Sequence, residues 1–343
     1  MDKNVIKILV ILFLIVLSSC KTIEKAGINM ISDIMAGDGS SELFTGDNDP
    51  ELVKDALPFI LKMYEMLLGE NPDDPELLLA TGKTFIMYSN VFIQTPASML
   101  PDEEYIEQHT MLLRSKKMYR RGTKYILKAL DLKHPGFISN LDSGNIDLSL
   151  DELENEDIPF LYWVASGIMG EFSADPFDFS LGPNIYIPVA LLYRALELNE
   201  SYDNGAIHDL LILINSSLPE ALMFKSSEGH ESKMALFAKK YYNSLNIYNG
   251  FEKARYHFNR SIEISGGINA SPYISLASTV SVNEQNYEEF EFLLNHALAI
   301  DPEEYPEMRL AGIIYNDKAQ WLLDHKEDYF LLDFNEGEID EVY

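Results

Sequence analysis

The chain has 343 residues and a formal net charge of −29, with 55 acidic against 26 basic side chains. That balance excludes a nucleic-acid binder, whose phosphates reward clustered Lys and Arg, and it opposes broad contact with anionic lipid. A hydrophobic fraction of 47%, with 19 Tyr and 18 Phe, excludes an acidic disordered tail and supplies a large core. Residues 1–19 read as a bacterial export signal: Lys3 and Lys7 precede an apolar run from Ile8 to Leu17, too short to span a bilayer. Leu17-Ser18-Ser19-Cys20 has the form of a lipobox, so Cys20, the only cysteine, is the expected acylated mature N-terminus. Several acyl chains at one site would hold the protein on a membrane. The inner-membrane retention aspartate is absent after Cys20, where Lys21 stands, which favours the outer membrane over the inner. With one cysteine there is no disulfide framework, and stability rests on packing.

Residues 20–49 are rich in Gly, Ser and Asp and read as a flexible tether, with a short helix around Ile28 to Met35. From Pro50 to residue 332 the pattern is helical. Tyr287, Phe290, Leu294, Ala297 and Ile300 recur every three or four positions, as do Met308, Ala311, Tyr315, Ala319 and Leu322. Strand-like alternation with hairpin dipeptides is missing, so the expected class is all-α. His134 to Asp157 reads as a long loop, Asn249-Gly250 as the end of one helix before Phe251 to Ile264 forms another, and residues 333–343 as an acidic tail that frays.

A pentapeptide recurs along these helices. Lys128-Ala129-Leu130-Asp131-Leu132, Arg194-Ala195-Leu196-Glu197-Leu198, Arg260-Ser261-Ile262-Glu263-Ile264 and His296-Ala297-Leu298-Ala299-Ile300 are versions of one another. Their small residues are spaced by 66, 66 and 36 positions. The short interval approaches the ~34-residue tetratricopeptide period, and the long ones are about two units. A small residue near the end of a second helix admits its neighbour closely. Asp301-Pro302, like Asn71-Pro72, then stops the helix because Pro cannot donate within it. The expected architecture is therefore a compact solenoid of tetratricopeptide-like helical hairpins.

Asp49-Pro50-Glu51-Leu52-Val53, the run Ser201 to His208, Ala254-Arg255-Tyr256-His257-Phe258, Ser271-Pro272-Tyr273 and His296 to Pro302 together resemble the TatT proteins, the T component of tripartite ATP-independent periplasmic (TRAP) transporters. Arg309-Leu310-Ala311 and Trp321-Leu322-Leu323 fit as well, and the likeness runs from about Pro50 to Phe330. The resemblance implies a periplasmic lipoprotein of cryptic tetratricopeptide repeats. It also implies association with the solute-binding subunit of the transporter, a tendency to homotrimers, and a cavity or pore suited to a ligand. The Asp-Pro ending is kept only at Asn71-Pro72 and Asp301-Pro302, so the inner repeats are degenerate.

No cofactor, metal or catalytic site is expected. The seven histidines make no H-x-x-x-H pair, and no P-loop, G-x-S-x-G elbow or G-x-G-x-x-G occurs. Paired carboxylates carry no information in a chain this acidic. Asn204 and His208, four apart at a predicted helix start, share a face beside Ile207, Leu210, Leu211 and Ile214. They read either as the polar lining of a ligand or partner groove or, the weightier reading, as a local cap and a loop contact. Tyr162 and Trp163, in a helix carrying Ala165, Gly167 and Gly170, read equally as interface anchors or as buried core. Together with Tyr273, these four are the candidate ligand or partner residues, with an apolar or carboxylate-bearing ligand expected and His208 as the group to meet a carboxylate. A different class, a lipoprotein that scaffolds envelope or outer-membrane assembly, remains the alternative.

Overall fold

The computed structural model describes residues 43–331 apart from 225, 228 and 229. The export signal, Cys20, the helix expected around Ile28 to Met35 and the acidic tail all lie outside the described residues. The described chain is all-α in its main elements: α1 Pro50–Glu70, α2 Pro75–Ser89, α3 Tyr105–Lys133, α4 Ile158–Ala174, α5 Tyr186–Leu198, α6 Ala206–Ser217, α7 Lys233–Leu245, α8 Gly250–Ser265, α9 Ser271–Leu276, α10 Tyr287–Leu298 and α11 Arg309–Asp324. A π-helical turn extends α2 over Asn90–Gln94 and another extends α9 over Ala277–Ser281.

Three local expectations are corrected. The segment read as a loop between His134 and Asp157 carries two short helices, Phe137–Asp142 and Ile146–Leu150, because Phe137, Leu141, Ile146 and Leu150 all reach the core. The helix expected from Phe251 to Ile264 is present as α8, but Asn249-Gly250 starts it and does not end the preceding helix, which stops at Leu245. Asn249 accepts from the Glu252 backbone N–H at 2.8 Å while the Glu252 side chain accepts from Asn249, a reciprocal cap. A two-residue antiparallel ladder also pairs Ser226–Ser227 with His230–Glu231.

The start of α1 is fixed before Pro50. Asp49 accepts from the Leu52 N–H at 3.0 Å, and Phe44 packs against the cluster of Val53, Leu57 and Leu61. Leu310 of α11 joins that same cluster, and Arg309 donates to the Gly46 carbonyl at 3.3 Å, so the last helix returns to the first.

Glycine sets the packing of α2, α3 and α4. A Cβ on Gly82 would meet the Gly122 carbonyl oxygen at 2.6 Å, and a Cβ on Gly122 would meet that of Gly82 at the same distance. A Cβ on Gly167 would come within 2.2 Å of Thr123 Oγ1, and one on Gly170 within 2.3 Å of the Tyr119 ring. The backbones are therefore in contact, as the run of small residues along α4 suggests.

The pentapeptides end α3, α5, α8 and α10, and their small residues Ala129, Ala195, Ser261 and Ala297 are each fully buried. The spacing marks the same packing position four times. Between the second and third stands α6, which packs chiefly on α8.

Candidate functional site

A cleft of about 190 Å³ opens where α4, α6 and α11 converge with the loop before α9. Its floor holds Tyr162, Asp209 and Tyr315, its mouth Asp203 and Asn204, and its apolar wall Ile268, Ile300, Met308 and Ala311.

The turn ahead of α6 is what brings the polar mouth into place. Asp203 at φ 46°, Asn204 at φ 54° and Gly205 at φ 86° follow one another in the left-handed region. Asp and Asn visit that region at low cost among residues with a Cβ, and Gly does so freely. Gly205 is also required sterically, because its Cβ would stand 3.3 Å from the Ser261 Cα. Asn204 makes no side-chain cap to α6, whose capping position is Gly205.

Asp209 lies one turn into α6, facing α9. Ser271 and Ser275, four apart on α9, both donate their hydroxyls to its carboxylate, the second at 2.9 Å. Burial raises its pKa, and the two serine bonds and the Lys318 charge oppose that. Lys318 stands a turn beyond Tyr315 on α11. Burial lowers its pKa, against the attraction of Asp209. Burial likewise raises the Tyr162 and Tyr315 hydroxyls, with Asp209 adding to both. Tyr162, Asp209 and Tyr315 line the cleft half-buried, and Lys318, half-buried too, stands outside its lining.

Of the sequence candidates, the structure brings Tyr162 and Asn204 together at this cleft and places the other three elsewhere. Trp163 stands behind Tyr162, edge-on at 5.3 Å, with the Lys83 ammonium 5.6 Å from its ring centroid. Tyr273 packs on Phe258 at 5.4 Å and stacks with His296 at 6.0 Å. His208, next to Asp209 but roughly 100° round the helix, is fully buried on another face. Its Nδ1 is 2.7 Å from Nδ1 of His257, and Glu200 lies 3.3 Å from its Nε2. His257 Nε2 then bonds the Tyr242 hydroxyl at 2.6 Å, which bonds that of Tyr193 at 2.8 Å. Two facing Nδ1 atoms share one proton, so the two imidazoles cannot both be charged. Burial lowers the pKa of His208 to about 4 and that of His257 well below the usual value. His208 cannot meet a ligand carboxylate, since it is sealed into this internal chain.

Among the cleft's polar residues, Asp209 and Tyr315 were not site candidates in the sequence reading; Ser271 and Ser275, which bond Asp209, and Lys318 stand outside the lining. Tyr315 did stand in the apolar stripe read for the last helix. Met308, Ala311 and Tyr315 of that stripe line the cleft, whereas Ala319 and Leu322 are core. Among the described residues no three His, Cys, Asp or Glu side chains cluster to hold a metal ion, and no helix is long and apolar enough to cross a membrane.

A family profile described as TRAP transporter T-component matches residues 46–240 and 228–330. The chain belongs to that family. An uncharacterized protein of Treponema pallidum (strain Nichols) is 32% identical over 294 residues, 85% of this chain and 83% of that one. The T-component family is a transporter accessory family and not an enzyme family, and the cleft lies wholly within the matched residues.

Proposed function

We infer that this T component is a lipid-anchored periplasmic protein that docks the solute-binding subunit of a TRAP transporter and receives, in the cleft at Tyr162 and Tyr315, an apolar or carboxylate-bearing ligand. Its helices act as tetratricopeptide-like hairpins, it assembles as a homotrimer, and Cys20 tethers it, preferentially to the outer membrane. The observation that carries the reading is the cleft itself: a half-open space lined by apolar and polar groups alike, in a chain of transporter-accessory family. The acidic surface opposes long-range capture of an anion from solution, which favours delivery by a docked partner.

Co-purification of the full-length protein with a TRAP solute-binding subunit of the same organism tests the docking. A stable complex in which the detergent-extracted lipoprotein retains the solute-binding subunit is the expected result. Recovery of outer-membrane proteins in its place would support the envelope-scaffold alternative and overturn this reading. Labelled palmitate should enter the wild type and not Cys20→Ser.

A further inference from the structure

A second recess, of about 430 Å³, is lined by α7, the turn after it and the first turn of α8, and it shares no lining residue with the cleft. Ala235, Ala238, Lys239 and Tyr242 of α7 stand at i, i+3, i+4 and i+7, so one face of that helix makes its floor. Asn246, at φ 58° in the left-handed region, ends α7, and the turn that follows brings Ile247 and Tyr248 to the lining. Lys253, in the first turn of α8, is only 9% exposed yet lines the recess. Its ammonium lies 4.9 Å from the Tyr242 ring centroid and makes no hydrogen bond among the described residues. The one carboxylate in ion-pair reach of it, Glu220, stands 3.7 Å off. The other lysine of the lining, Lys239, is exposed and already bonded to Glu231 at 2.7 Å. A buried cation therefore borders the recess with its donors unused, at the positive end of a helix, where the dipole disfavours a cation and favours an anion.

We propose that this recess is a second ligand site, built for a small aromatic carboxylate, with the carboxylate on the Lys253 ammonium and the ring over Ala235 and Ala238 beside Tyr248. This goes beyond the cleft reading and does not depend on it. The sign of the ligand follows from which charges are dry. Glu220 and Glu231 are 68% and 45% exposed and keep their water, whereas Lys253 has lost most of its own. Within a chain of −29, α7 adds to that sign locally, since it carries Lys233, Lys239 and Lys240 and no acidic residue. The ring follows from the lining. Two alanines leave a floor without bulk, and Phe224, Tyr242 and Tyr248 offer aromatic edges and faces above it. Tyr248 is 66% exposed and makes no ring contact among the described residues, so its face is free to stack. The size agrees, because about 430 Å³ falls within the range of small-molecule pockets.

Titration calorimetry of the full-length Ala311→Phe variant, whose added ring occupies the cleft, isolates this site. The probes are 3-phenylpropanoate, its uncharged amide and 3-cyclohexylpropanoate. The aromatic acid should bind at least about ten-fold more tightly than the amide, because only the acid offers the ammonium a charged acceptor. It should also exceed the cyclohexyl acid by about three-fold. Adding Lys253→Met, which keeps the stem and removes the charge, should bring the acid down to the level of the amide. Lys253→Arg should retain most of the acid's advantage, with melting temperatures showing that all variants fold. If Lys253→Met fails to fold, the comparison of acid with amide decides alone. Absence of heat from the acid, an amide that binds as tightly, or acid binding indifferent to Lys253→Met overturns the proposal. Equal or tighter binding of the cyclohexyl acid overturns the aromatic class of the ligand. Acid binding that the wild type shows and Ala311→Phe loses removes the recess as a site and leaves the reading of the cleft standing.

Discussion

Where α2, α3 and α4 cross, backbone touches backbone; where α6 faces α11, side chains stop short of each other and leave a cleft. Both regions are lined by small and aromatic residues, so composition does not separate them. The difference lies in what each polar group has found. In the crossing, Thr123 bonds the Tyr119 carbonyl at 2.9 Å and Ser89 bonds that of Ser115 at 2.8 Å, so nothing is left over. In the cleft, the buried Oδ1 of Asn316 has no hydrogen-bond partner among the described residues. A sealed interior needs complete pairing, and an interior that receives something keeps groups in reserve.

The sharpest way to break this comparison is to overfill each region. Gly122→Val places atoms against the Gly82 carbonyl oxygen, which belongs to the backbone and cannot swing aside. We expect a loss of about 3 kcal/mol, read from the urea midpoint. Ala311→Phe points into open space and should change stability by less than about 0.5 kcal/mol. Equal losses from the two would mean that the cleft is ordinary core.

The buried histidine chain gives the next largest effect. The folded pKa values of His208 and His257 are depressed, so the unfolded chain binds protons more readily. Stability from this source is complete above pH 6.5 and is lost as pH falls toward about 4. The groups packed around the pair, Glu200, Arg260, Lys253 and Tyr242, do not reverse that sign. Thermal melting between pH 7 and 4 should decline less steeply in a His208→Gln, His257→Gln variant than in the wild type. Identical slopes would show that the imidazoles do not remain neutral inside.

A smaller change sharpens the boundary between helix ends and starts. Asn249→Ala removes the cap of α8 and should cost about 1 kcal/mol in urea unfolding. No change would restore Asn249-Gly250 as an incidental turn.

The class was legible because helical periodicity is local, and so were the four pentapeptide positions, since a small residue at a helix crossing is a packing requirement visible in one segment. The cap at Asn249 was legible too: Asn followed by Glu three residues on is a start signal, and it was masked by reading Asn-Gly as a stop. The polar lining of the cleft was not legible. Asp209 is one of 55 acidic residues, and it stands in a helix far along the chain from Tyr315 and Asn316, so only tertiary folding brings them to one space. The separation of His208 from Asn204 was also hidden. The left-handed turn at Asp203, Asn204 and Gly205 ends the helical register that would have placed them on one face.

The central claim, that the space beside Tyr162 receives a ligand, is tested most directly by the fluorescence of Trp163. The sequence has two tryptophans, and Trp321→Phe leaves Trp163 alone as a reporter in edge contact with Tyr162. Titrating this variant with small apolar carboxylates such as 4-methylpentanoate should shift the emission saturably, and adding Ala311→Phe should abolish the shift. A spectrum unchanged by these carboxylates, or a shift that survives Ala311→Phe, would contradict the account.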